Sequence, residues 1–128
     1  MRAILDTSVL IKSPDVPGVS QAAISAISLA ELYFGALAAT DADERMRRVA
    51  QLGFIESNFD AIPLDQQVGR VLGQLQAAVS GRGANPRRRT ADLAIAATAV
   101  VHEAVLLTYN YKDFKIVEDL VDVREPPA

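Results

Sequence analysis

Five short, largely apolar runs alternate along this chain with segments long enough to be helices, and that alternation leaves few folds open. The runs are Arg2–Asp6, Ala22–Ile27, Phe59–Leu64, Val105–Thr108 and Val121–Arg124. Parallel strands need a crossover between them and antiparallel strands do not, so strands spaced by helices imply a parallel sheet covered on both faces. Ser28 offers a cap for a helix opening at Leu29, and a charged helix is expected over Asp41–Ser57. Its Met46, Val49, Leu52 and Ile55 recur at the spacing of one amphipathic face. Asp65 caps a helix reaching about Val79, and Thr90 caps another over Ala91–His102. Thr7–Ile11 follows the first strand and leads into a loop marked by Pro14 and Pro17, and Gly81–Pro86 reads as the clearest flexible loop. With 128 residues and no internal repeat or linker, positions 1–128 make one domain.

Acids fall where these elements meet. Asp6 ends the first strand, Glu31 and Asp92 open helices, and Asn110 and Asp113 follow the fourth strand. In an open parallel sheet the carboxyl ends of the strands are where ligands bind. Each acid has a bland reading as well: Asp6 as a turn residue, Glu31 as the partner of Ser28 in a capping box, Asp92 as a first-turn acid favoured by the helix dipole. The residues behind them weaken that reading. Gly35, Ala38 and Ala39 follow Glu31, and Ala96 and Ala99 follow Asp92, on the stripe of each acid. Small side chains there let two helix starts approach the strand ends. Ordinary close packing in an Ala-rich chain is the competing explanation.

Carboxylates brought together demand a cation, because two like charges about 4 Å apart repel by about 4 kcal/mol at an effective dielectric near 20. The chain has no cysteine and one histidine, which removes zinc–thiolate and multi-imidazole sites. An all-oxygen ligand set suits Mg²⁺ or Mn²⁺, and such ions serve hydrolysis of phosphodiesters or phosphoryl groups. The formal net charge of -3 speaks weakly against a nucleic-acid partner, but acids neutralised by metal misreport the local field. No apolar stretch approaches the roughly 20 residues of a membrane helix, and no signal-peptide core is visible, so the expected location is cytoplasmic.

Four blocks in order, Ile4–Ile11, Ser28–Leu32, Asp92–Ala97 and Leu107–Phe114, resemble the PIN-domain nucleases, and most of all the VapC toxins of toxin–antitoxin pairs. The resemblance runs from about Arg2 to the last strand. It implies a three-layer α/β/α sandwich on a short, mainly parallel central sheet, a single PIN domain over 1–128. It implies Mg²⁺-dependent endoribonuclease activity with Mn²⁺ able to substitute, a homodimer, an RNA substrate, a 5′-phosphate product and inhibition by a cognate VapB-type antitoxin. By motif match Asp6, Glu31 and Asp92 carry over as the metal-site acids, and Thr7 or Ser8 as the small hydroxyl residue beside the first. The fourth catalytic position falls on Asn110, where many PIN domains have aspartate, or on Asp113, just before Phe114.

Other signals are weaker. Arg87, Arg88 and Arg89 precede Asp92 closely enough to guide a phosphate backbone, or form a solvated loop. Lys12, Lys112 and Lys115 flank the acidic blocks, His102 ends the Asp92 helix, and Tyr33-Phe34 belongs in the core or at an interface. Two other classes compete. A catalytically silent PIN-like interaction module is favoured by Asn110. A phosphoryl-transfer domain with an aspartate at a strand end lacks its companion acids, since Ser8 stands where a phosphatase carries the second.

Overall fold

The computed structural model describes residues 1–127. Its elements are β1 (Arg2–Leu5), α1 (Thr7–Lys12), β2 (Gln21–Ser25), α2 (Ala26–Ala38), α3 (Ala42–Asn58), β3 (Ala61–Ile62), α4 (Gln66–Gly81), α5 (Thr90–Val101), β4 (Val105–Leu107) and β5 (Val123–Arg124). Two 3₁₀ segments, Pro86–Arg89 and Tyr111–Val117, complete them. The strands form one sheet in the order β3-β2-β1-β4-β5, with every pairing parallel. The chain builds outward from β1 through β2 to β3, then returns to β4 on its other side. The crevice between β1 and β4 is thus the switch point of the sheet, where ligands bind in such folds.

Period-2 alternation along the strands sorts side chains between two cores. Ala3, Leu5, Val105 and Leu107 face Val9, Leu10 and Ile55 on one side. Ile4 and Leu106 face Val68, Leu75, Leu93, Ala96 and Phe114 on the other. The result is the expected α/β/α sandwich.

Several local expectations change. The second strand stops at Ser25, whose hydroxyl accepts a hydrogen bond from the Ile27 amide at 3.1 Å; Ser28 is fully buried inside α2 and caps nothing. Ser25 still has extended dihedrals (φ -78°, ψ 145°), the geometry an N-cap needs, and Ser28 does not lie at a helix start. Thr7–Ile11 is helical, because the Asp6 carbonyl accepts from both Val9 and Leu10. Thr90 is no cap either. Its φ of -57° and ψ of -46° are already helical, and its hydroxyl turns back to the carbonyls of Pro86 and Arg87. Gly81–Pro86 is a turn held at Arg82, which grips Asp119 with two nitrogens at 2.8 and 2.9 Å and also reaches the Ile116 carbonyl.

The α3 face divides: Leu52 and Ile55 are buried, whereas Met46 and Val49 are exposed because the helix outruns the core beneath it. The small-residue stripe holds in α5, where Ala96 and Ala99 are fully buried, and fails in α2. Ala38 is exposed, and a Cβ on Gly35 would meet the Arg48 guanidinium at 3.2 Å. Gly35 makes room for α3, not for the sheet.

Candidate active site

A helix that follows a parallel strand starts at the strand's carboxyl end, and one that leads into the next strand also starts there. The amino ends of α2 and α5 therefore flank the end of β1. Asp6 sits at that end and is 5% exposed. Its amide donates to the Leu107 carbonyl at 2.9 Å, joining β1 to β4 beyond the strand proper. The carboxylate is held through one oxygen: Oδ2 accepts from Ser8 at 2.9 Å and from the buried Thr108 hydroxyl at 2.7 Å.

Glu31 lies in the second turn of α2 and is exposed. The true cap at Ser25 removes its capping-box role. Instead Oε1 accepts from Thr7 at 2.7 Å, and the Thr7 hydroxyl is 3.1 Å from the buried Ser28 hydroxyl. The consecutive pair Thr7-Ser8 thus serves two acids, Thr7 holding Glu31 and Ser8 holding Asp6.

Asp92 stands in the first turn of α5, about half buried. Burial first, then the charges of Asp6, Asp113 and Glu31, push its carboxyl up to about 6, with Arg89 pulling the other way. Four acids thus share one electrostatic neighbourhood. Asp113 is part of it through its charge. Asn110 is exposed; its backbone amide donates to Thr108 Oγ1 at 2.9 Å and its carbonyl accepts from the Asp113 amide at 2.9 Å. Among the described residues, no three acidic or imidazole groups already stand as a metal cage. The oxygen-only donors fit an ion that keeps several waters and borrows ligands from substrate phosphates, which is how Mg²⁺ usually binds.

The basic residues separate by role. Arg89 donates to the Asp113 carbonyl at 3.0 Å and so ties the fourth acid's segment to the start of α5. Arg87, Arg88 and Lys112 are exposed. The arginine run is one turn of 3₁₀ helix continuous with α5, not a loop. Lys12 lies 4.5 Å from the centre of the Tyr109 ring, a cation–π contact. Sequence reasoning missed Thr108 and Ser28 as site residues; a hydroxyl closing an otherwise apolar strand was the available signal for Thr108.

The raised Asp92 carboxyl has a measurable consequence. Between about pH 4 and pH 6 the folded protein holds a proton that the unfolded chain, at the ordinary value of 3.8, has released. Stability therefore falls as pH rises through that window, and the whole penalty is in place at neutral pH. With the carboxylate half exposed and screened, it amounts to on the order of 1 kcal/mol. In chelator, the wild type should lose more stability than Asp92→Asn between pH 5 and pH 7 in urea titrations. Parallel pH profiles would contradict the charge crowding.

Comparison with known proteins bears on the family and the fold. The family model described as PIN domain matches residues 3–120. Ribonuclease VapC1 of Rickettsia felis is 30% identical, the match covering 94% of this chain and 93% of that protein. Ribonuclease VapC5 of Mycobacterium tuberculosis is 32% identical over 94% of this chain and 90% of its own length. Among solved structures, the VapBC-5 toxin–antitoxin complex of Mycobacterium tuberculosis superimposes with a TM-score of 0.83 at 28% identity, covering both chains fully. A DNA-bound VapBC of Salmonella typhimurium shares the fold with a TM-score of 0.79 at 23% identity over 98% of each chain. By model match, identity and fold together, this chain belongs to the PIN-domain family, alongside the VapC ribonucleases.

Proposed function

We propose that the protein is a Mg²⁺-dependent endoribonuclease, the toxin of a type II toxin–antitoxin pair, kept in check by a cognate VapB-type antitoxin. The observation that carries the reading is Asp92, charged only at a cost because it is partly buried and because the charges of Asp6, Asp113 and Glu31 lie near it at the sheet's switch point. Such crowding has a use when a cation comes with the substrate. Asp6 and Asp92 hold the ion, Glu31 accepts a proton from water and orients it, and Asp113, rather than Asn110, is the fourth acid. Bound there, Mg²⁺ or Mn²⁺ supplies charge neutralisation, a more acidic water and stabilisation of the leaving oxygen. Arg87, Arg88 and Lys112 are placed to meet phosphates near the acids, while Thr7 and Ser8 steady the acids rather than the substrate.

A protein partner is supported by the α2–α3 hairpin, where Phe34, Leu37 and Met46 are 74%, 68% and 71% exposed. Phe34 therefore lies outside the core, where a partner can reach it. The solved relative from Mycobacterium tuberculosis belongs to a family of toxin–antitoxin systems, and we extend that pairing, with a homodimeric toxin and a cytoplasmic site of action, to this chain. No helix among the described residues is long and apolar enough to cross a membrane.

The test is cleavage of RNA by the purified chain with Mg²⁺ and with excess chelator. Cutting is expected only with metal, leaving 5′-phosphate ends. Products with 2′,3′-cyclic phosphate, or undiminished cutting in chelator, would reject the reading. A silent interaction module is the second reading, favoured by Asn110, which offers an amide oxygen but no charge just beyond β4. It requires that Mn²⁺ titration show no heat of binding.

A further inference from the structure

We propose that Thr108 is a positioning residue that makes Asp6 a one-oxygen metal ligand and thereby biases the site toward small octahedral ions over Ca²⁺. This rests on reading the acidic cluster as a divalent-metal site. Thr108 is fully buried at the end of β4, and its hydroxyl lies 2.7 Å from Asp6 Oδ2. The Ser8 hydroxyl meets the same oxygen at 2.9 Å. Each hydroxyl has one proton to give. Thr108 Oγ1 already accepts from the Asn110 amide at 2.9 Å, and Ser8 Oγ from the Tyr109 amide at 3.0 Å. The two hydroxyls also lie 3.4 Å from each other, but the Asp6 carboxylate is both nearer to each and the stronger acceptor, so both protons turn to it.

Oδ2 is thus saturated by two charge-assisted bonds, and Oδ1 alone remains for an ion. Burial matters here: a carboxylate 5% exposed has no room to swing and recruit its second oxygen. Mg²⁺ and Mn²⁺ take six oxygens in octahedral sites, whereas Ca²⁺ takes six to eight and often draws both oxygens of a carboxylate to fill its larger shell, so a ligand confined to one oxygen favours the smaller ions. The brace therefore does more than stiffen the end of β4. It selects among ions. Thr108 also carries the start of the turn toward Asp113 through the Asn110 amide, so one side chain registers two of the four acids.

The experiment is calorimetric titration of the full chain with Mn²⁺ and, separately, with Ca²⁺, for wild type, Thr108→Val, Thr108→Ser and Asp6→Ala. Thr108→Val should bind Mn²⁺ about tenfold more weakly, the scale of losing a group that orients a metal ligand, with Ca²⁺ affinity unchanged or raised. Thr108→Ser should restore the wild-type Mn²⁺ to Ca²⁺ ratio. A purely structural role would weaken both ions together, so an unchanged ratio in folded Thr108→Val overturns the proposal. Should that variant fail to fold, Ser8→Ala removes the other donor to the same oxygen, and an unchanged ratio there overturns it equally. Asp6→Ala separates the two levels of inference. If it binds Mn²⁺ like wild type, the metal site itself is wrong, whatever Thr108 does.

Discussion

Asp92→Asn is expected to cleave RNA about a thousandfold more slowly than wild type at saturating Mg²⁺ while melting no lower. The amide keeps the shape of the carboxylate and removes its charge, so packing at the start of α5, with Leu93 and Ile95 buried, is preserved. What is lost is one of the acids that holds the cation against a phosphate. Transition-state charge stabilisation by a metal is a matter of several kcal/mol, and about 4 kcal/mol corresponds to about a thousandfold in rate. Stability should move the other way, because the substitution removes one of four mutually repelling acids. Initial rates on RNA and a thermal melt in chelator read the two effects separately. Wild-type cleavage by Asp92→Asn would remove the active site proposed here, and slow cleavage with a collapsed melt would reduce the result to misfolding.

Phe114→Ala should destabilise the fold by about 3–5 kcal/mol in urea denaturation, the range for emptying a buried aromatic site. Phe114 is 1% exposed and packs with Val117, Val121 and the α4–α5 side of the core. Its importance exceeds its volume, because the segment Tyr111–Val117 that it anchors has only 3₁₀ geometry and no long helix to hold it. Asp113 is its immediate neighbour in sequence. Loss of the ring should loosen the fourth acid along with the core, lowering cleavage below what the reduced folded fraction explains. Lys115→Ala, exposed on the same segment, should stay within about 0.5 kcal/mol of wild type. Equal stability of the two variants would mean that the segment is held by something other than Phe114.

The strands were legible because buried parallel strands announce themselves as apolar runs, and Arg2–Leu5 and Val105–Leu107 both did. The acids were legible because they interrupt those runs at their ends, where nothing in packing calls for charge. Helix starts were legible only in part: Asp65 caps α4, its carboxylate accepting from the Val68 amide at 3.0 Å, whereas Ser28 and Thr90 cap nothing. Ser25 and Ser28 both have cap chemistry, and only the length of β2 decides between them; the strand ends early, and Ser28 passes into the helix. Thr90 failed as a cap because the start of α5 lies one residue earlier: Arg89, with φ -117° and ψ 13°, holds the cap position, and Thr90 is already helical. Gly35 and Ala38 look like Ala96 and Ala99 in sequence, but α2 turns that face to α3 and solvent. Periodicity reports which residues share a face and is silent on what the face meets. The same limit hid the partner of Thr108: a hydroxyl closing an apolar strand signals a buried bond but does not say that the Asp6 carboxylate beyond the neighbouring strand receives it.

Both margins of the sheet are very short: β3 and β5 are two residues each, Ala61–Ile62 and Val123–Arg124. A margin that brief gives an incoming chain almost no ladder of amides and carbonyls to extend, and Pro63 directly follows one of them with no N–H to offer. Association of this molecule with a second copy or with another protein is therefore left to side chains on its helices. Its choice of company is set by the shape and polarity of those surfaces, and growth into open-ended β-fibres is discouraged by construction.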